Sequence, residues 1–190
     1  MPTPRFSLFE TVLGQCAIAW SERGIVGVQL PEASAAATRA RMLRDFPGAE
    51  EAPAPEAVQA AIARIVALLR GERDAQGRLD DLRSVELDMS AVSSFRRRVY
   101  AATRAIPPGR TMSYGELAAQ LGEPGAARAV GHALGTNPFA PVVPCHRVLA
   151  AGGRSGGFSA EGGVVTKLRM LQIEGARFGE APGLFDAGPE

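Results

Sequence analysis

The stretch that most constrains this chain is residues 111–135, TMSYGELAAQLGEPGAARAVGHALG. Leu117, Ala118 and Leu121 fall on one face of a first short helix, and Val130 and Leu134 on one face of a second. Ser113 and Glu116 match the S-x-x-E capping box, in which each side chain satisfies an orphan amide of the first turn. Gly122 ends the first helix, and Glu123-Pro124-Gly125 leads into the second. Two short helices joined by a tight glycine-containing turn read as a helix-turn-helix, although many helical hairpins bind nothing. In the second helix Ala126, Ala127, Ala129, Gly131, Ala133 and Gly135 are all small, while Arg128 and His132, four apart, share another face. Small side chains let a helix axis approach what it touches, whether a DNA groove or another helix. Both readings stand on the pattern alone.

Upstream, Phe95, Val99, Ala102 and Ile106 predict a helix with one buried face, ended by Pro107-Pro108-Gly109. The first 89 residues read as a separate small α+β unit. Residues 6–30 hold short β-prone runs broken at Gly14 and at Ser21 to Gly24, a hairpin signal. A helix is expected around 35–45, then an APAP linker. The spacing Ile62, Ile65, Val66, Leu69 predicts an amphipathic helix from Ala57 that stops near Gly71, and Leu79 to Met89 reads as a further strand. Cys16 and Trp20 read as core. The division is then 1–89, 90–178 and a flexible tail, 179–190.

Composition narrows the function classes. With 46% hydrophobic residues the 190-residue chain can bury a real core. No run reaches the roughly 18–20 apolar residues of a membrane span, and MPTPRFSLFE has no signal-peptide character. Cys16 and Cys145 show no disulfide spacing. The expectation is a soluble, cytoplasmic protein that does not engage membranes. The net charge of +1 hides an asymmetry. Residues 1–89 carry ten Arg against thirteen acids, whereas residues 90–178 carry ten Arg and one Lys against four acids. A basic half beside an acidic half suggests a polyanion for the second domain, or solvated charge on an arginine-rich chain.

Residues 141–149, PVVPCHRVL, hold one of the two cysteines beside one of the two histidines. The thiolate is the nucleophilic form of cysteine, and an imidazole can accept the thiol proton directly or through water. A carboxylate on the far imidazole nitrogen would fix the tautomer, and Glu174 in MLQIEG is a candidate. A zinc site is disfavoured, because Cys16, His132, Cys145 and His146 lack finger spacing. A thiol hydrolase, or a buried inert cysteine beside a structural histidine, stays open on the chemistry alone.

The run from Phe95 to Gly175 resembles the C-terminal domain of the O6-alkylguanine-DNA alkyltransferases, the methylated-DNA–protein-cysteine methyltransferases. IPPGRTMSYGELA, ARAVGHALGTNP, VVPCHRVL and GGFSAEGGVVTKLRMLQIEGA carry the resemblance, in family order. The first half resembles the family's variable first domain only loosely. The resemblance implies an α+β protein: a small ribonuclease-H-like N-terminal domain and a mainly helical, winged-helix-like C-terminal domain containing the helix-turn-helix. It implies single-turnover, irreversible transfer of the alkyl group of O6-methylguanine in duplex DNA to Cys145, with O4-methylthymine as an open second substrate. In that scheme His146 takes the thiol proton, Glu174 orients the imidazole, and Asn137 braces the turn. Tyr114 donates to the guanine ring as charge develops. Arg128 fills the gap left by the everted nucleotide, and Gly131 lets its helix sit close to the minor groove. The carbonyls of Cys145 and Val148 accept from the guanine amine. Phe158 forms a pocket wall, Ser159 donates its amide to O6, and Lys167 supports the loops. Arg96 and Arg110 make binding salt-sensitive.

The departures matter. Phe158 stands where several relatives carry Tyr. The first half lacks the Cys and His cluster that binds zinc in some relatives, and also the cysteine-rich module of the transcription-activating ones. No metal, no cofactor, no adaptive-response regulation and no obligate protein partner are expected, and the chain is expected to be a monomer. The alternative is a lesion-sensing DNA-binding protein, the branch in which the reactive Cys is replaced; here Cys145 is intact.

Overall fold

A computed structural model describes residues 3–153 and 163–176. Strands β1 (Arg5–Thr11), β2 (Gly14–Ser21) and β3 (Gly24–Gln29) form an antiparallel meander, with its turns at the glycines. The run CAIAW in β2 is buried throughout because both faces of the strand are covered. Cys16, Ile18 and Trp20 face one core cluster, and Ala17 and Ala19 face another with Phe6 and Met42, as the period of two in a strand requires.

Helix α1 (Ala35–Asp45), capped by Ser34, covers the second face. It sits so close that a Cβ on Gly27 would lie 2.4 Å from the Phe46 ring just beyond its end, so only glycine fits there. Helix α2 (Glu56–Leu69) presents Val58, Ala61, Ile65, Leu68 and Leu69 to the first cluster. Between them β4 (Glu50–Glu51) adds a short parallel edge, giving the order β3-β2-β1-β4. Each fully buried Val, Leu or Ile in these layers contributes on the order of 1.5–3 kcal/mol.

Leu79–Met89 is not the expected strand. Only isolated bridges form there, Arg73 with Leu79 and Leu87 with Ile25. The reason is local: Asp80 accepts from the amide of Leu82, Asp81 from that of Arg83 and Asp88 from that of Ser90. Such side-chain bonds compete with ladder pairing. Asp88 also gathers the Ser21 hydroxyl at 2.8 Å and Arg23 at 3.2 Å, tying the β2–β3 turn to this segment.

The second half begins with α3 (Ser94–Arg104), capped by Ser93. Its buried residues are Val99, Tyr100 and Thr103. Phe95 and Ala102 are only half-buried, and Ile106 is buried beyond the helix end, so the expected face is rotated. Tyr100 and Thr103 can be buried because their hydroxyls bond to the carbonyls of Ala133 and Val99. Then come β5 (Met112–Ser113), α4 (Tyr114–Gln120), α5 (Ala127–Gly135), β6 (Val148–Leu149) and α6 (Val164–Ile173). One contiguous core joins the two halves. The free edge of β3 completes the join: the Val28 amide donates to the Pro138 carbonyl at 2.7 Å.

Candidate active site

Cys145–Arg147 forms a single 3-10 turn between Pro144 and β6, held by bonds from Cys145 N to Val143 O and from Arg147 N to Pro144 O. Strand β6 pairs in parallel with β5, Met112 opposite Val148 and Ser113 opposite Leu149. Because α4 starts at the residue after β5, this pairing brings Tyr114 to the thiol turn. The Ser113–Glu116 capping box is fully formed and fixes that start.

Asn137, on the turn leaving α5, works on two backbone groups. Its Nδ2 donates to Val143 O at 2.9 Å, and its Oδ1 accepts from Phe139 N at 3.0 Å. Val143 O is also the acceptor for Cys145 N, so Asn137 and the thiol turn share one carbonyl.

His146 and Glu174 are buried together. Imidazole Nε2 lies 2.9 Å from Glu174 Oε1, and Nδ1 finds no partner among the described residues. Two further groups share the carboxylate. Arg147 donates from Nε to Oε2 at 3.0 Å and from its terminal nitrogen to Oε1 at 2.8 Å, and Gly109 N donates to Oε2 at 3.2 Å. Arg147 also reaches Ile106 O at 2.7 Å. Gly109 has φ of +77°, and a Cβ there would lie 3.0 Å from Glu174 O, so glycine is required.

Burial opposes ionisation of Glu174, but the hydrogen bond from His146 and the hydrogen bonds and positive charge of Arg147 prevail and hold it at about 2. His146 is pushed below the usual imidazole range by burial, against the pull of Glu174. An ionised carboxylate therefore faces a neutral imidazole, which must carry its proton on Nε2. The lone pair is left on Nδ1, where a proton can be accepted.

The two cysteines differ. Cys16 is fully buried and driven up to about 12 by burial. Cys145 keeps 7% of its surface exposed. Burial raises its thiol as well, while hydrogen bonding from Asn137 and the charge of Lys167 pull it down. Lys167 is buried, donates from Nζ to Val148 O at 2.7 Å, and is lowered to about 8 by burial. Its ammonium lies 5.9 Å from the Tyr114 ring centroid, and a Cβ on Gly131 would touch that ring at 3.9 Å. Tyr114 is thus held between α5 and α6, half-buried, and its hydroxyl makes no hydrogen bond to the described residues.

The structure therefore gathers Cys145, His146, Glu174, Asn137, Tyr114, Lys167, Val148 and Gly131. The carbonyls of Cys145 and Val148 already accept one bond each, from Val148 N and Lys167, and each retains a second lone pair. Arg128 and His132 are exposed on α5. Phe158 and Ser159 lie outside the described residues. Arg110 is exposed, but Arg96 turns inward to Tyr100 and Thr136, which corrects its assignment to the DNA surface. Arg147 is a site residue that sequence reasoning missed; residue type alone does not distinguish a buried arginine from a surface one. A cavity of about 640 Å³ opens on the far side of Asn137, between β3, α1 and residues 135–139, and neither Cys145 nor Tyr114 lines it. Among the described residues no cluster of His, Cys, Asp or Glu could hold a metal ion, and no helix is long and apolar enough to cross a membrane.

Residues 94–176 match the family model described as 6-O-methylguanine DNA methyltransferase, DNA binding domain. The chain is 38% identical over 170 residues to the regulatory protein ada of Salmonella typhimurium, covering 90% of this chain and 45% of that protein. It is 50% identical over 102 residues to a methylated-DNA–protein-cysteine methyltransferase of Mycolicibacterium paratuberculosis, covering 54% of this chain and 60% of the relative. The chain thus spans about half the length of these two relatives. The crystal structure of Mycobacterium tuberculosis O6-methylguanine methyltransferase superposes with a TM-score of 0.70 at 32% identity, over 95% of this chain and 96% of that one. The M. tuberculosis OGT crystal structure in complex with DNA gives 0.70 at 31% identity, over 93% and 96%. With the thiol turn, its histidine–carboxylate pair and the α4–α5 hairpin in one continuous match, this chain belongs to the O6-methylguanine-DNA methyltransferase family.

Proposed function

We propose that this chain repairs alkylated duplex DNA by moving the alkyl group of O6-methylguanine onto Cys145, once per molecule, with O4-methylthymine as an open second substrate. The observation that carries the reading is the His146 imidazole, with Nε2 tied to Glu174 and Nδ1 unpartnered among the described residues, directly beside Cys145, which keeps 7% of its surface exposed.

The chemistry is an in-line displacement. The thiol proton passes to His146 Nδ1, through a water. The sulfur pair attacks the methyl carbon, an S–C bond forms, and the C–O6 bond breaks with its electron pair leaving on guanine. The Tyr114 hydroxyl donates to the purine ring nitrogen as that charge appears. At rest the thiol is kept protonated by burial, so the nucleophile forms only as the proton is removed. The product is a thioether, and among the described residues no group near Cys145 can remove its methyl, so turnover stops at one. No cofactor enters the scheme.

The methyl lies inside a duplex, so the nucleotide must leave the stack, at a cost of a few kcal/mol. Arg128, exposed on α5, is the side chain proposed to fill the gap, and the small residues beside it on the helix allow close approach to the groove. The relative crystallised with DNA supports duplex DNA as the partner. We further read the protein as a cytoplasmic monomer divided near residue 89. Its sheet, with one parallel edge and helices on both faces, supports a ribonuclease-H-like first unit; α4 and α5 with the β5–β6 pair support a winged-helix-like second.

Incubation with a methylated oligonucleotide, followed by intact-mass and peptide analysis, tests the reading. One methyl on the Cys145 peptide, stoichiometric with protein, is expected, and Cys145→Ala should bind DNA yet accept none. Repeated turnover, or lesion binding with no mass change in the wild type, refutes it.

A further inference from the structure

The thiol turn hangs from α5, and α5 is anchored by a pair of side chains that the transfer scheme does not use. Tyr100, fully buried on α3, donates its hydroxyl to Ala133 O at 3.1 Å. That carbonyl is in the last turn of α5, where helical carbonyls have no intrahelical partner. Arg96, one turn earlier on α3, donates to the same hydroxyl from Nε at 3.1 Å and from a terminal nitrogen at 2.7 Å. The same terminal nitrogen reaches Thr136 O at 2.6 Å. A cation at a helix C-terminus is favoured by the helix dipole. Among the described residues Arg96 has no carboxylate partner, so its charge is committed to these carbonyl and hydroxyl oxygens.

The connection runs on to the sulfur. Thr136 is followed by Asn137, whose amide holds Val143 O, which in turn accepts from Cys145 N. On the other side of Asn137 the Phe139 ring meets the Tyr100 ring edge-on, centroids 6.0 Å apart at 83°. Arg96 and Tyr100 therefore hold Thr136 and Phe139, one on each side of Asn137, and through them the loop that carries the thiol.

We propose that Arg96 and Tyr100 are positioning residues for alkyl transfer: the clasp holds the Asn137 turn in the register that aims Cys145 at its substrate. The proposal rests on the reading of Cys145 as acceptor. It assigns Arg96 an internal role, in place of the phosphate contact that its position in a basic run suggests. Small displacements of reacting groups cost large factors in rate, so loss of one clasp bond should act on the rate and not on DNA affinity.

The test uses Tyr100→Phe, which keeps the ring and removes only the hydroxyl, and Arg96→Met. Single-turnover rates are measured with methylated duplex at saturation and with free O6-benzylguanine, each read from the fraction of molecules that react. Duplex affinity is measured separately. Both variants should slow by about tenfold on both substrates, by the same factor, with affinity within about twofold of wild type. Arg96→Lys should recover little, because a single ammonium cannot span both acceptors. Wild-type rates in the reacting fraction overturn the proposal. So does a loss confined to duplex with weakened affinity, which would place Arg96 on the DNA. Should the wild type accept no methyl, the parent reading falls, and the clasp is then judged on iodoacetamide alkylation of Cys145, where unchanged rates in Tyr100→Phe overturn it.

Discussion

His146 Nε2 sits 2.9 Å from Glu174 Oε1, and this one bond decides which imidazole nitrogen can take a proton. The same carboxylate neutralises Arg147, so it serves the imidazole beside the thiol and a buried guanidinium at once.

Glu174→Gln separates these roles. The amide preserves shape but leaves the Arg147 guanidinium, 1% exposed, without an opposing charge. Breaking a buried ion pair by neutralising one partner costs about 3–5 kcal/mol. Urea unfolding should show a loss of that order. In the fraction that stays folded, methyl transfer should slow as well, because Gln no longer dictates the tautomer of His146. A variant as stable as wild type would mean that the carboxylate does not compensate Arg147.

Acid should weaken the fold in two stages. His146 has a folded value below 6.5, so as pH falls through 6.5 the unfolded chain takes up a proton that the folded chain refuses, and stability drops. Glu174 lies at about 2 when folded against 4.5 ordinarily, so its stabilisation is complete above about 4.5 and disappears between there and about 2. Urea midpoints measured from pH 8 to 2 should decline from the mid-sixes downward and again below about 4.5. His146→Gln should flatten the upper part of the decline and spare the lower.

Much of this was legible in the sequence where a side chain's type fixes its environment. Gly14 and Gly24 marked the meander turns, and Ser113 with Glu116 marked the start of α4 to the residue. Cys145, His146 and Glu174 were nominated by chemistry and lie together. Apart from Leu79–Met89, where local side-chain bonds displace the ladder, what failed depends on a partner far along the chain. Strand β4 exists because Arg5 and Phe6 offer it an edge, not because Glu50 and Glu51 favour strands. Tyr100 and Thr103 were missed on the buried face of α3 because apolar periodicity ignores polar groups whose hydrogen bonds are met inside. Arg96 and Arg147 look like any basic surface residue until the carbonyls and the carboxylate that hold them are in place.

Arg128 is exposed on the first turn of α5, and the role proposed for it arises only when a base has left the duplex. Arg128→Ala should slow repair of methylated duplex by about 10- to 100-fold, the scale of a few kcal/mol of unstacking left unsupported. Reaction with free O6-benzylguanine should stay within about twofold of wild type, since no base needs extrusion. Comparable losses on both substrates would move Arg128 from extrusion to the thiol site.

Lys167 gives a prediction with two independent readouts. Its ammonium is buried against Val148 O with no carboxylate partner among the described residues, and burial lowers it to about 8 from 10.5. Between those values the unfolded chain holds a proton that the folded chain has released, so the Lys167 contribution to stability should rise as pH goes from about 8 to 10.5, while the raised thiols of Cys16 and Cys145 pull the other way above about 9. Lys167→Met removes the group and should remove that rise, read as the difference in urea midpoint between wild type and variant across the interval. The positive charge also favours the Cys145 thiolate. A neighbouring charge at a partly screened site is worth about 1–4 kcal/mol, so iodoacetamide should alkylate Cys145 in the variant at least about tenfold more slowly at neutral pH. If the thiol reacts at the wild-type rate while the alkaline rise vanishes, Lys167 braces the loop through Val148 alone, and its charge does nothing for the sulfur.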